Sequence, residues 1–158
     1  MVLLVTAALL ALAPQIIEDE ALRPLPVAAV LENPGKYDDR AITIVGSIFS
    51  TPEVNSLRGE GCRNESKRLD GRPWACAVLV NLPDCSSEGF RCNPSTLEVL
   101  QAYRNMRNSR TAKPTLVSMT GRFHLAAIRQ GEKARRGVGH MGAFLAELIV
   151  TEAEVIPK

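Results

Sequence analysis

The chain has 158 residues, of which 46% are apolar, 23% charged and only 4% aromatic. That balance excludes wholesale disorder, a collagen or coiled-coil rod and a multi-pass membrane protein, and leaves apolar mass for one largely aliphatic core. Nineteen basic against seventeen acidic side chains give a formal charge of +2, so overall charge singles out neither nucleic acid nor a membrane as partner.

Residues 1–13 are almost wholly apolar. They are too few for a spanning helix, which needs about 20 apolar residues. They fit a secretory signal, with Ala11-Leu12-Ala13 as a small-x-small cleavage pattern. Two details depart from that pattern: no Lys or Arg precedes the run, and Pro14 follows it directly. Residues 14–24, with Glu18, Asp19, Glu20 and two prolines, read as a linker, and residues 25–158 as a single domain.

Val27, Val30 and Leu31 are spaced for one helical face, with Pro26 tolerated in the first turn. Asn33-Pro34-Gly35 ends that helix. Ala41–Ser50 alternates as a strand, with Ile42, Ile44, Gly46 and Ile48 on one face. Residues 51–73 form a polar loop, and Trp74–Leu82 is the second strand, with Trp74, Cys76, Val78, Val80 and Leu82 on one face. A further strand is possible within 51–73 or 82–92. Ser95-Thr96-Leu97-Glu98 has the spacing of a capping box. Val99, Leu100, Tyr103 and Met106 then form a helical stripe, Arg104, Arg107 and Arg110 suit the carboxyl end of the helix dipole, and Pro114 blocks continuation. Thr115–Leu125 is a strand with Val117, Met119, Gly121 and Phe123 on one face. Residues 126–142 are a basic, glycine-rich loop, and Phe144–Val155 is the last strand, whose alternation breaks near Thr151 as at a bulge.

Cys62, Cys76, Cys85 and Cys92 lie within 31 residues and lack the Cys-x-x-Cys spacing of zinc or redox sites. In an oxidising compartment they read as two disulfides, with three possible connectivities; Cys62–Cys76 and Cys85–Cys92 are the pairing favoured here. Signal and cysteines together place the protein in the periplasm or outside the cell.

The sequence of elements suits a small Greek-key barrel, mainly β with one N-terminal helix and one helix between strands. Asn33-Pro34-Gly35-Lys36-Tyr37-Asp38-Asp39-Arg40, then Ile42-x-Ile44-x-Gly46, Val117-x-Met119-x-Gly121-x-Phe123 and the closing stretch from Gly139-His140-Met141-Gly142 through Val150 carry a resemblance. The chain resembles small exported bacterial proteins of OB-fold type with no assigned activity. The resemblance spans most of residues 25–156 and implies a binding scaffold, with no catalytic residue to transfer. The Cys-bearing loops fall outside it.

Charge is uneven. Residues 14–60 hold eight acids and four bases, whereas 104–136 hold nine bases and one acid, Glu132. Arg122, His124, Arg129, Arg135, Arg136 and His140 are therefore the candidate ligand-binding residues, on a basic face suited to an anionic ligand. The simpler alternative is a solvated helix end and loop. Phe123 and Phe144, beside the basic segment, have the pattern of core residues and not of base-stacking platforms; nucleic acid is not expected as the natural ligand. Gly137-Val-Gly139-His-Met-Gly142 matches G-x-G-x-x-G, but a strand follows it where a dinucleotide site needs a helix, so it reads as a hairpin loop. His124 and His140, with Glu147 as third ligand, would make a metal site only if the last two strands pair. There is no G-x-S-x-G elbow, bridged cysteines cannot be nucleophiles, and Asp38-Asp39 reads as the turn before the first strand. The expectation is an exported, non-catalytic binding or accessory domain of the cell envelope, with no cofactor and no catalytic residue. A structural or protein-interaction module of the envelope is the alternative, and a metal-dependent enzyme the weaker one.

Overall fold

The structure is a computed structural model that describes residues 23–62, 71–109, 112–126, 137–139 and 142–157. The expected signal at 1–13, most of the linker, and Arg129, Arg135, Arg136 and His140 lie outside those residues. The elements run β1 (Leu25–Pro26), α1 (Val27–Glu32), a single 3-10 turn at Pro34–Lys36, β2 (Arg40–Ser50), β3 (Asn55–Arg58), β4 (Ala77–Asn81), α2 (Pro94–Asn108), β5 (Leu116–Leu125) and β6 (Ala146–Val155). The sheet has the order β1-β2-β3-β4-β6-β5, and β5 pairs back onto β2. Strands β2 to β6 thus close a five-stranded barrel of OB-like connectivity, with β4 and β6 parallel and α2 as the crossover between β4 and β5. Closure satisfies backbone groups that an open sheet would leave at its edges.

Period-two alternation decides what enters the barrel. Ile42, Ile44 and Ile48 from β2, Leu57 from β3, Val78 and Val80 from β4, Val117, Met119 and Phe123 from β5, and Leu148, Val150 and Ala153 from β6 are all buried. α1 contributes Val27, Val30 and Leu31, and α2 contributes Thr96, Val99 and Tyr103. Both expected disulfides are present, Cys62–Cys76 and Cys85–Cys92. The strand sought in 51–73 is β3; it has one fully buried large side chain, Leu57, and is held by pairing with β2 on one side and β4 on the other. Trp74 and Cys76 precede β4, which starts at Ala77.

Two details differ from the sequence expectation or sharpen it. The cap of α2 is Asn93, whose side chain accepts from the Thr96 backbone amide at 2.8 Å, with Pro94 in the first turn. Asn93 sits two residues before the Ser95 of the expected box; Pro94 has no N–H to cap and its fixed φ starts the helix there. The bulge falls where the alternation breaks. Thr120 opposes Glu152 and Gly121 opposes Val150, so Thr151 is the extra residue. A Cβ on Gly121 would lie 2.2 Å from the Ile149 carbonyl oxygen, and only glycine lets the bulged strand approach this closely. Gly46 serves packing in the same way: a Cβ there would meet the Val27 side chain of α1 at 2.9 Å.

Candidate functional site

The end of β5 is held by the Asp38-Asp39 turn that precedes β2. Asp39 has φ 58°, a left-handed turn conformation that aspartate tolerates. Its amide donates to the Phe123 carbonyl at 2.8 Å, and the Asp38 carboxylate accepts from the Leu125 amide at 2.8 Å. Arg122 Nη1 donates to Asp39 Oδ1 at 2.9 Å, and His124 Nδ1 lies 3.8 Å from the same oxygen. Arg122 and His124, two of the six expected ligand residues, therefore share one outward face and one acid. Both members of the Arg122–Asp39 pair are more than half exposed, so the pair adds at most about 1 kcal/mol and leaves the arginine open to other anions. Glu147 of β6 stands opposite His124 in register. Beyond Ala126 the chain enters residues 127–136, which carry Arg129, Lys133, Arg135 and Arg136 in sequence. Gly139 and Gly142 have φ of 75° and 59°, and Val138 bridges to Phe144, as a hairpin loop requires. Among the described residues no group of three His, Cys, Asp or Glu side chains could hold a metal ion.

The outer wall of β3, β4 and β6 carries a first cleft, of about 330 Å³. The loop between β2 and β3 supplies Pro52, Glu53 and Val54; β4 supplies Leu79 and Asn81; Arg107 of α2 and Glu147 close the rim. Arg107 Nη2 donates to Asn55 Oδ1 at 3.2 Å, which fixes the guanidinium beside the cleft. On the same wall the Arg58 guanidinium stacks 3.3 Å from the Phe49 ring centroid. Partial burial holds the Arg58 guanidinium below its ordinary pKa. Sequence reasoning counted Arg107 only as charge and missed Asn55, Phe49 and Arg58. Recognising the β2–β3 hairpin would have found them, because its register sets Ser47 against Arg58 and Phe49 against Ser56.

A second cleft, of about 310 Å³, lies on the outer face of β2, β5 and β6 and is lined by Pro24, Thr43, Ser118, Thr120, Glu152, Ala153 and Glu154. The Thr43 and Thr120 hydroxyls share a hydrogen bond of 2.8 Å across the strands. The two clefts differ in chemistry: the first has a cation at its rim, and the second has none among its lining residues.

A disulfide-bonded OB-like barrel with clefts on two faces defines the class of domain. No family model matches the chain, and no curated protein matches it. Among solved structures it is similar to OBody AM3L09 bound to hen egg-white lysozyme, at 10% identity and a TM-score of 0.40, over 85% of this chain and 94% of that one. OBody AM2EP06, also bound to hen egg-white lysozyme, aligns at 12% identity and a TM-score of 0.39, over 85% and 93%. A chain described as an aspartyl-tRNA synthetase from Leishmania major Friedlin aligns at 13% identity and a TM-score of 0.40, over 92% of this chain and 23% of that one. Likenesses at this level assign no function to the chain.

Proposed function

We propose that the chain is an exported, non-catalytic binding or accessory domain of the cell envelope that takes an anionic ligand on its basic face. The observation that carries this reading is the placement of Arg122 and His124. They project from one outward face of β5, near the end of the strand, and the segment bearing Arg129, Arg135 and Arg136 follows in sequence. OB-type barrels bind extended ligands on an outer wall and in the loops that join strands, and Arg107 beside the first cleft adds a cation to that wall. Two disulfides fit an oxidising compartment, and no described helix is long and apolar enough to cross a membrane.

Titration calorimetry with dextran sulfate as polyanion tests the reading. The double variant Arg135→Ala with Arg136→Ala should weaken binding about tenfold or more, as the loss of two charge-assisted contacts predicts. Unchanged affinity would remove the basic face from the function and leave a protein-interaction role.

A further inference from the structure

We propose that the second cleft, on the β2–β5–β6 face, is a binding site for a primary ammonium group. This goes beyond the anion-binding reading and concerns the other end of the same outward face of β5: Ser118 and Thr120 share the alternation of Arg122 and His124, and here β6 supplies carboxylates. The polar side chains lining the cleft are the hydroxyls of Thr43, Ser118 and Thr120 and the carboxylates of Glu152 and Glu154, so every side-chain heteroatom is oxygen. The register arranges them in two rows. Thr43 stands opposite Thr120, and Thr120 opposite Glu152; in the next row Ser118 stands opposite Glu154. Directly opposed side chains have Cβ atoms about 4.5–5.5 Å apart, within reach of one small ligand group.

The bulge makes this surface. Ala146, Leu148 and Val150 face the core, and with unbroken alternation Glu152 and Glu154 would follow them inward. The extra residue Thr151 turns Ala153 to the core and sends both carboxylates outward beside the hydroxyls.

A second observation points to a ligand. Ser118 is only 5% exposed, lies between the inward-facing Val117 and Met119, and so aims its hydroxyl into the cleft. That hydroxyl has no hydrogen-bond partner among the described residues, and its oxygen is not one of the side-chain atoms sealed from solvent, so it is open to a ligand in the cleft. Glu152 is approached by Arg91 at 3.6 Å from an exposed position, whereas Glu154 has no ion-pair partner among the described residues.

A primary ammonium is a compact charge with three donors. It matches a cluster of acceptors that carries two negative charges and one unpaired hydroxyl. An anion would meet both carboxylates, and a neutral polyol would leave the charge of Glu154 uncompensated. A calcium ion asks for six to eight oxygens at 2.3–2.6 Å, and these five side chains are spread over two rows.

The test is an amide-resonance titration of the full domain with n-butylammonium, with butyltrimethylammonium as a cation of equal charge but no N–H donor. Saturating shifts centred on Thr43, Ser118, Thr120, Glu152 and Glu154 are expected, with the quaternary cation about tenfold weaker. Glu154→Gln should weaken binding about fivefold and Ser118→Ala about threefold, with the unfolding midpoint of each variant retained. Spermidine and the terminally blocked peptide acetyl-Gly-Lys-Gly-amide, whose one charge is the lysine ammonium, distinguish the sources: tighter binding of the first assigns a free polyamine, and of the second a lysine side chain of a protein. Equal binding of the quaternary cation, shifts scattered over all acidic residues, full binding by Glu154→Gln, or a response to Ca²⁺ without one to butylammonium would each overturn the proposal.

Discussion

Gly121 shows how one residue carries a constraint of the whole barrel. The bulge at Thr151 brings β6 against β5, and a methyl on Gly121 would collide with backbone, which cannot swing aside as a side-chain tip can. Gly121→Ala should therefore cost about 1–3 kcal/mol in urea unfolding, whereas Gly35→Ala, with nothing within 4 Å of the added carbon, should be close to neutral. Equal effects would contradict the close approach. Tyr103 is the second residue whose chemistry is set by burial. Its hydroxyl donates to the Ser56 carbonyl at 3.2 Å, and burial pushes the phenol far above its ordinary range. The unfolded tyrosine ionises near pH 10 while the folded one stays neutral, so its contribution is complete below pH 10 and is lost as pH rises above that. Tyr103→Phe should cost about 1 kcal/mol at pH 7. Above pH 10 the wild-type advantage should fall by about 1.4 kcal/mol per pH unit, so that the gap closes before about pH 11 and then reverses; a gap that stays constant to about pH 11.5 would contradict the buried phenol.

At the scale of elements, local chemistry was legible where it repeats and obscure where it depends on pairing. The apolar-x-apolar-x-Gly pattern of β2 and β5 can be read directly, and both glycines prove to be points of close approach. The bulge is legible because two glutamates interrupt the inward alternation of β6. β3 is obscure because Asn55–Arg58 contains one buried large side chain and owes its conformation to two neighbours. The start of α2 is misread because Ser95 and Glu98 have the spacing of a capping box, while Asn93 before Pro94 is the stronger signal. That correction is measurable. Asn93→Ala should cost about 1 kcal/mol, and Glu98→Ala no more than about 0.5 kcal/mol; the reverse order in thermal unfolding would restore the box. The Cys62–Cys76 bridge closes a 15-residue loop onto the start of β4, worth about 3 kcal/mol in the chain-entropy model, and so ties a polar loop to a small barrel.

For the whole molecule, the fold class was legible and the surface chemistry only half so. Four alternating segments, room for one further strand and a helix in the second half of the chain admit few closed topologies, and an OB-like barrel is one of them. Which outward residues meet is a matter of register, which composition does not record. Arg122 and His124 converge on Asp39, and Arg58 reaches Phe49, only because β2 pairs with β5 on one side and β3 on the other. Arg129, Arg135, Arg136 and His140 lie outside the described residues, and their part in the site rests on sequence and on the position of the β5 end. Arg122 and His124 stand at one end of the outward face of β5, and toward its other end Thr120 and Ser118 stand beside Glu152 and Glu154.

The most direct test of the anion-binding reading is the salt dependence of binding to dextran sulfate. The account predicts that the logarithm of the association constant falls linearly with the logarithm of salt concentration, with a slope that shallows by one to two units when Arg135 and Arg136 are replaced by alanine, as for release of condensed counterions. A slope near zero, or one indifferent to those arginines, would contradict it.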